Sequence, residues 1–237
     1  MVHVSRGGDG PLLVLLHGLG ATGSVWRGAA RTWPGAWLAV DLPGHGRSAP
    51  LERYTFGALA EAVATAVPAG QVAVLGHSLG GVVALELAGG SSGVDVRAAG
   101  AVGVKLRWTD DELARAAGLA AKPARVLPTR EEAAAWAARL AGVPLPDGVV
   151  EADGGWRAAL DPAAFGVGAP DVDGLLAAAR CPVVLAAGEE DPMCPPEHLL
   201  AADPGGIVLP GVGHNAHVED PASITPVLER LHHALVA

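Results

Sequence analysis

Val72-Ala73-Val74-Leu75-Gly76-His77-Ser78-Leu79-Gly80-Gly81-Val82-Val83-Ala84-Leu85 is the stretch that decides the fold. A continuous apolar run, Val72–Leu75, reads as a strand buried on both faces. It enters Gly-x-Ser-x-Gly and leaves as a helical stretch, Leu79–Ala88. Strand, sharp turn and helix around one serine form the context of a nucleophile elbow. Small residues must flank so tight a turn, and Ser78 then projects above a sheet at the positive end of a helix. A second match to the pattern, Gly89-Gly90-Ser91-Ser92-Gly93, follows a helix end rather than a strand. It reads as a C-cap and loop.

Outward from the elbow the same rhythm repeats. Apolar runs at Leu12–Leu16, Ala36–Val40, Ala98–Val104, Val183–Ala187 and Ile207–Leu209 predict further strands. Helical stretches, Phe56–Val67 and Ile224–Val236 among them, lie between most of them. Val2–Ser5 is a candidate edge strand. Strand alternating with helix predicts an α/β fold, a mostly parallel twisted sheet of about seven to eight strands with helices on both faces. The rhythm breaks in residues 105–179, where no strand-like run is visible. Thr109-x-x-Glu112 and Thr129-x-x-Glu132 fit capping boxes, and Asp161-Pro162 reads as an N-cap with Pro at the first helical position. An α-helical cap is therefore expected at 105–179, inserted into a core formed by 1–104 and 180–237. Ligands of such sheets bind at the carboxyl ends of the strands, which the insertion would roof.

A serine hydroxyl is a weak nucleophile and needs a base, and the base needs an orienting acid. Past the strand Val183–Ala187 comes Gly188-Glu189-Glu190-Asp191-Pro192. Asp191, the last acid before the proline, is the expected partner, with Glu189 and Glu190 as alternatives. Past Ile207–Leu209 comes Pro210-Gly211-Val212-Gly213-His214, where His214 is the expected base and His217 the alternative. The order Ser, acid, His along the chain fits this type of sheet. An oxyanion needs donors. The amide of Leu79, next after the nucleophile, is one candidate. The amide of Leu19, in the loop His17-Gly18-Leu19-Gly20, is the other. Trp108, Trp136 and Trp156 are candidate substrate-binding walls from the cap, as is Phe165. Cys194 is expected near the pocket edge. Glu219 and Asp220, before Pro221, are expected to open the last helix. The loop Asp41–Ser48 carries Asp, His and Ser, but its close Gly/Pro spacing favours turn chemistry over a second triad.

The chain has 237 residues, half of them apolar, and a formal net charge of −9 with no basic run. Nucleic acid and anionic membrane are thereby disfavoured as partners. Two cysteines make neither a disulfide framework nor a paired metal site. Met1–Arg6 lacks a signal-peptide h-region, so the expected location is the cytoplasm.

Taken together, the motifs resemble the α/β-hydrolase superfamily. They are His17-Gly18-Leu19-Gly20, Asp41–Ser48, Gly76–Gly81, Gly188-x-x-Asp191 and Gly213-His214-x-x-His217-x-Glu219-x-Pro221. More narrowly they are similar to its esterase, lactonase and carbon–carbon hydrolase branch. The resemblance implies that the first histidine of the Gly-His pattern, His214, is the base. It implies an eight-stranded sheet, of which this late-starting chain would lack or shorten one strand. Serine at position 78 sets the chain apart from dehalogenases and epoxide hydrolases of the same fold, which carry aspartate there. The activity implied is hydrolysis of a small carboxylester or lactone through an acyl-enzyme on Ser78, on a small-molecule acyl substrate and without cofactor or metal. Thioester or carbon–carbon cleavage, and a ligand receptor or cyclase on the same fold, are the alternatives.

Overall fold

A computed structural model describes residues 1–237. In chain order the strands are β1 (Val4–Gly7), β2 (Leu12–Leu16), β3 (Trp37–Val40), β4 (Gln71–His77), β5 (Asp95–Val102), β6 (Val126–Leu127), β7 (Val149–Ala152), β8 (Gly155–Ala158), β9 (Val183–Gly188) and β10 (Ile207–Leu209). The helices are α1 (Phe56–Ala64), α2 (Leu79–Ala88), α3 (Asp110–Ala120), α4 (Arg130–Ala141), α5 (Val172–Ala178), α6 (Pro196–Ala202), α7 (Ala216–Glu219) and α8 (Thr225–Val236). Seven strands form the main sheet in the order β1-β3-β2-β4-β5-β9-β10. Only β1 runs antiparallel to its neighbour; the other pairs are parallel.

The alternation of side chains along a strand explains the two cores. In β2, Val14 and Leu16 face one side, where they join Val72 and Val74 of β4, Leu59 and Val63 of α1, and Val83 and Leu87 of α2. Leu13 and Leu15 face the other, with Ala73, Leu75, Trp26, Trp33 and the α8 residues Val227 and Leu231. Both faces are covered, so the central strands have no polar alternation. Thr55 caps α1 by accepting from the Ala58 amide at 3.1 Å. The helix stops at Ala64, short of the expected Val67. β5 also ends early, at Val102, because Gly103 turns the chain with φ +64°.

The chain leaves the sheet after β5 and returns at β9. Both capping boxes between them form, Thr109 with Glu112 and Thr129 with Glu132. The expectation of a purely helical insertion is corrected: β6, β8 and β7 make a three-stranded antiparallel sheet. The missed signal is Asp153-Gly154 between Val149–Ala152 and Gly155–Ala158. Asp-Gly is a hairpin turn sequence, and Gly154 takes φ +84°. Tyr54 ties this insertion to the core by donating to Asp161 Oδ2 at 2.7 Å. Thr22 and Ser24 donate to Asp147 Oδ1 at 2.8 and 2.6 Å.

Candidate active site

Ser78 lies in the turn between β4 and α2, with φ 50° and ψ −114°, and is the one non-glycine residue at positive φ. Such strain persists only where the surroundings over-determine it. Here the Ser78 amide donates to the Val102 carbonyl at 2.8 Å, and its carbonyl accepts from Gly81 and Val82. The flanking glycines are required by space. A Cβ on Gly76 would lie 1.9 Å from the Gly80 carbonyl oxygen, and one on Gly80 would lie 2.3 Å from that of Leu16. The strand end and the helix start are thus packed backbone to backbone.

Asp191 follows β9 and is buried, with a fully covered carboxylate; Glu189 and Glu190 beside it are exposed. His214 follows β10. Its Nδ1 lies 2.9 Å from Asp191 Oδ2 and 3.1 Å from Oδ1. The amides of Met193 and Cys194 donate to Oδ1 at 2.8 and 3.2 Å, which fixes the carboxylate plane. An acceptor on one ring nitrogen leaves the proton on Nδ1 and Nε2 free to accept. His214 and Ser78 face one cavity of about 510 Å³, where no hydrogen bond yet joins them. In such unliganded sites that bond commonly tightens only with substrate. Leu19 and Leu79 also border this cavity, and their amides donate to no protein acceptor.

Three further residues shape the pair, a part that the sequence assigns to none of them. Gly103, at the end of β5, makes room for it: a Cβ there would sit 3.2 Å from Asp191 Oδ2 and 3.3 Å from His214 Nδ1. His77 places its Nε2–H against the His214 carbonyl at 2.8 Å, and the two rings pack at 4.7 Å. Glu219 accepts from the Gly213 amide at 2.5 Å and from the Asn215 amide at 3.0 Å, holding both neighbours of His214. Its expected place at the start of the last helix is corrected. Glu219 ends α7, and α8 begins at Thr225. The pattern Gly-His-x-x-His-x-Glu contained this bracket, but only the loop's return shows it.

Trp108 reaches the cavity, as does Phe165. Trp136 lines a separate, smaller cavity instead. Trp156 lies on β8 and lines neither, its ring facing the Arg130 guanidinium at 5.8 Å. The alternation of the cap hairpin, invisible while that segment is read as helical, sends it elsewhere. Cys194 is buried beside Asp191, and Met193 rather than Cys194 borders the cavity. Burial and the adjacent Asp191 push its thiol up to about 12. In the Asp41–Ser48 loop, Asp41 Oδ1 accepts from the Gly23 amide and Oδ2 from the Arg47 amide, which is turn chemistry.

His217, the alternative base, is buried with its ring 4.3 Å from Trp26 and 4.5 Å from His77. It does not border the cavity. Desolvation, then the neighbouring histidines, holds it down to about 3. Desolvation likewise lowers His17 to about 4 and His45 to about 3, and brings His77 well below 6.5. These rings are neutral in the fold, and the unfolded chain binds their protons first. Their stabilising contribution is therefore complete above pH 6.5 and is lost as pH falls toward 4. At pH 5 each of His17, His45 and His217 is expected to withdraw about 2 kcal/mol. Calorimetric melting between pH 7 and pH 5 tests this: the midpoint should fall steeply, and less steeply in His217→Gln. A flat profile would contradict the buried neutral cluster.

Comparison with known proteins places the chain. The pattern described as the alpha/beta hydrolase family matches residues 13–225. A pimeloyl-acyl-carrier-protein methyl ester esterase of Aeromonas hydrophila is 48% identical over 92 residues, 37% of this chain and 35% of that relative. The match thus spans about a third of the relative's length. An esterase from Thermogutta terrifontis has a TM-score of 0.78 at 20% identity, covering 99% of this chain and 94% of that one. An E-2-(acetamidomethylene)succinate hydrolase has a TM-score of 0.79 at 21% identity, covering 100% and 95%. No helix is long and apolar enough to cross a membrane. With its mostly parallel seven-stranded sheet and an elbow at the end of the fourth strand, this chain belongs to the alpha/beta hydrolase family.

Proposed function

We propose that the chain is a serine hydrolase that cleaves a small carboxylester or lactone through an acyl-enzyme on Ser78. The observation that carries this reading is the buried Asp191–His214 pair facing the cavity onto which the strained Ser78 opens. His214 Nε2 takes the Ser78 hydroxyl proton as Oγ attacks the ester carbonyl carbon. The amides of Leu19 and Leu79 stabilise the tetrahedral oxyanion. The C–O bond to the leaving group breaks as His214 returns its proton to that oxygen, releasing the alcohol. A water deprotonated by His214 then attacks the acyl-enzyme, and the acid leaves as Ser78 regains its proton. Asp191 holds the imidazole tautomer and stabilises the imidazolium. Trp108 forms part of the wall against the substrate. The methyl ester chemistry of the Aeromonas hydrophila relative supports an oxygen ester. Within this reading the protein acts in the cytoplasm on a small-molecule substrate and needs no cofactor.

Intact-mass measurement after fluorophosphonate treatment tests the proposal. Wild type should gain one adduct and Ser78→Ala none. A folded wild type that takes no adduct would sink the reading and favour a receptor or non-hydrolytic role for the cavity.

A further inference from the structure

The insertion holds a second cavity, of about 210 Å³, against the first. Leu119 of α3, Leu140 of α4 and Phe165 line both, so these three side chains form the partition. The partition is loosely held: Leu119 is 40% exposed, and Leu140 and Phe165 are only partly buried. Beyond it the lining is apolar, with Ala124, Trp136, Ala158, Leu160 and Pro162. The charged residues of this lining are Lys122 and Arg125, both cations, in a chain of formal net charge −9. Neither joins an ion pair; the pairs in the structure are Lys105–Glu112 and His214–Asp191. Arg125 is held over the Trp136 ring at 5.2 Å, at the cavity's edge. The first cavity repeats the pattern, since Glu112 neutralises Lys105 while Arg115 and Arg139 stay unpaired.

An apolar pocket with a few convergent polar groups selects a ligand by its body and orients it by its end. We propose that this second cavity is a distal subsite for the acyl chain of a linear aliphatic ester, and that the preferred chain ends in a carboxylate. The inference rests on the reading of Ser78 as the nucleophile. A short acyl group fills only the first cavity. A longer one displaces Leu119, Leu140 and Phe165, buries methylenes against Trp136 and Leu160, and brings its end to Lys122 and Arg125.

The probes are methyl butanoate, methyl decanoate and monomethyl sebacate, followed by methanol release. Ala124→Phe fills the second cavity from a partly exposed position. It should lower kcat/KM for methyl decanoate relative to methyl butanoate by about tenfold, the effect of two methylenes left in water. Lys122→Gln/Arg125→Gln should lower kcat/KM for monomethyl sebacate relative to methyl decanoate by about fivefold, as expected for two exposed charge contacts. A readout independent of turnover is tryptophan fluorescence. Monomethyl sebacate bound to Ser78→Ala should change it, and adding Trp136→Phe should remove most of the change. Ester hydrolysis whose chain-length profile ignores Ala124→Phe overturns the subsite and leaves the hydrolase reading standing. Unchanged sebacate preference in the double glutamine variant overturns its carboxylate end. Absence of all methyl ester hydrolysis, with the Trp136-dependent signal intact, overturns the hydrolase reading and the ester substrate with it, and leaves the second cavity as a site for an aliphatic carboxylate alone.

Discussion

Ser78→Ala is expected to lower kcat for ester hydrolysis by about 10⁶-fold while leaving the fold intact. The size follows from how much of the site depends on one oxygen. In the proposed mechanism, no acyl-enzyme forms without Oγ, and His214 has no proton to take. The residual rate comes from the oxyanion donors and the cavity, which remain. Stability should hardly change. Ser78 anchors the elbow through its amide to the Val102 carbonyl and its carbonyl to Gly81 and Val82, and alanine keeps all three bonds. The positive φ of 50° costs a non-glycine residue much the same with either side chain. The check is single-turnover and steady-state kinetics on a methyl ester, beside a melting curve. A variant that melts like wild type and retains more than about one part in a thousand of kcat would show that another nucleophile, or water alone, does the chemistry.

Much of this arrangement was legible in the chain. β2, β4, β9 and β10 lie where unbroken apolar runs stand, because parallel strands covered on both faces leave no polar alternation to blur them. Asp191 and His214 were legible for a related reason: each follows such a strand in a short loop, so its height above the sheet is set locally. The cap hairpin was not. Its strands carry Glu151 and Arg157 and are four residues each, and Asp153-Gly154 was the only mark of the turn. The placing of Trp136 and Trp156 depends on that hairpin, and so could not be read before it. Gly103 and His77 act across long separations, and Glu219 acts through a local loop whose shape the spacing does not give. Glu219 holds Gly213 only because the loop after β10 folds back on α7. Periodicity carries no trace of such a contact.

Asp191→Asn is expected to lower kcat by about 10⁴-fold, and the geometry says why an isosteric change costs so much. The two carboxylate oxygens of Asp191 have different tasks. Oδ1 accepts from the amides of Met193 and Cys194, at 2.8 and 3.2 Å, and lies 3.1 Å from His214 Nδ1, whereas Oδ2 has only His214 Nδ1, at the shorter 2.9 Å. A carboxamide must put its oxygen where the two amides point, because its NH₂ there would face two donors in a buried setting. That choice turns the NH₂ toward His214. Nδ1 must then accept rather than donate, which moves the ring proton to Nε2. An Nε2–H cannot take the Ser78 proton, so the proposed base would be lost although nothing has moved. The fold should survive, since the shape and the Met193 and Cys194 bonds are kept. Glu190→Gln serves as the matched control, because Glu190 is exposed and the ion pair of His214 is with Asp191. Kinetics at rising pH adds a second signature. Deprotonation cannot restore the Nδ1–H tautomer, so the loss should persist across the neutral range. If Asp191→Asn kept a tenth or so of wild-type kcat while Glu190→Gln lost it, the orienting acid would be Glu190, and the buried pair at Asp191 would be a structural contact alone.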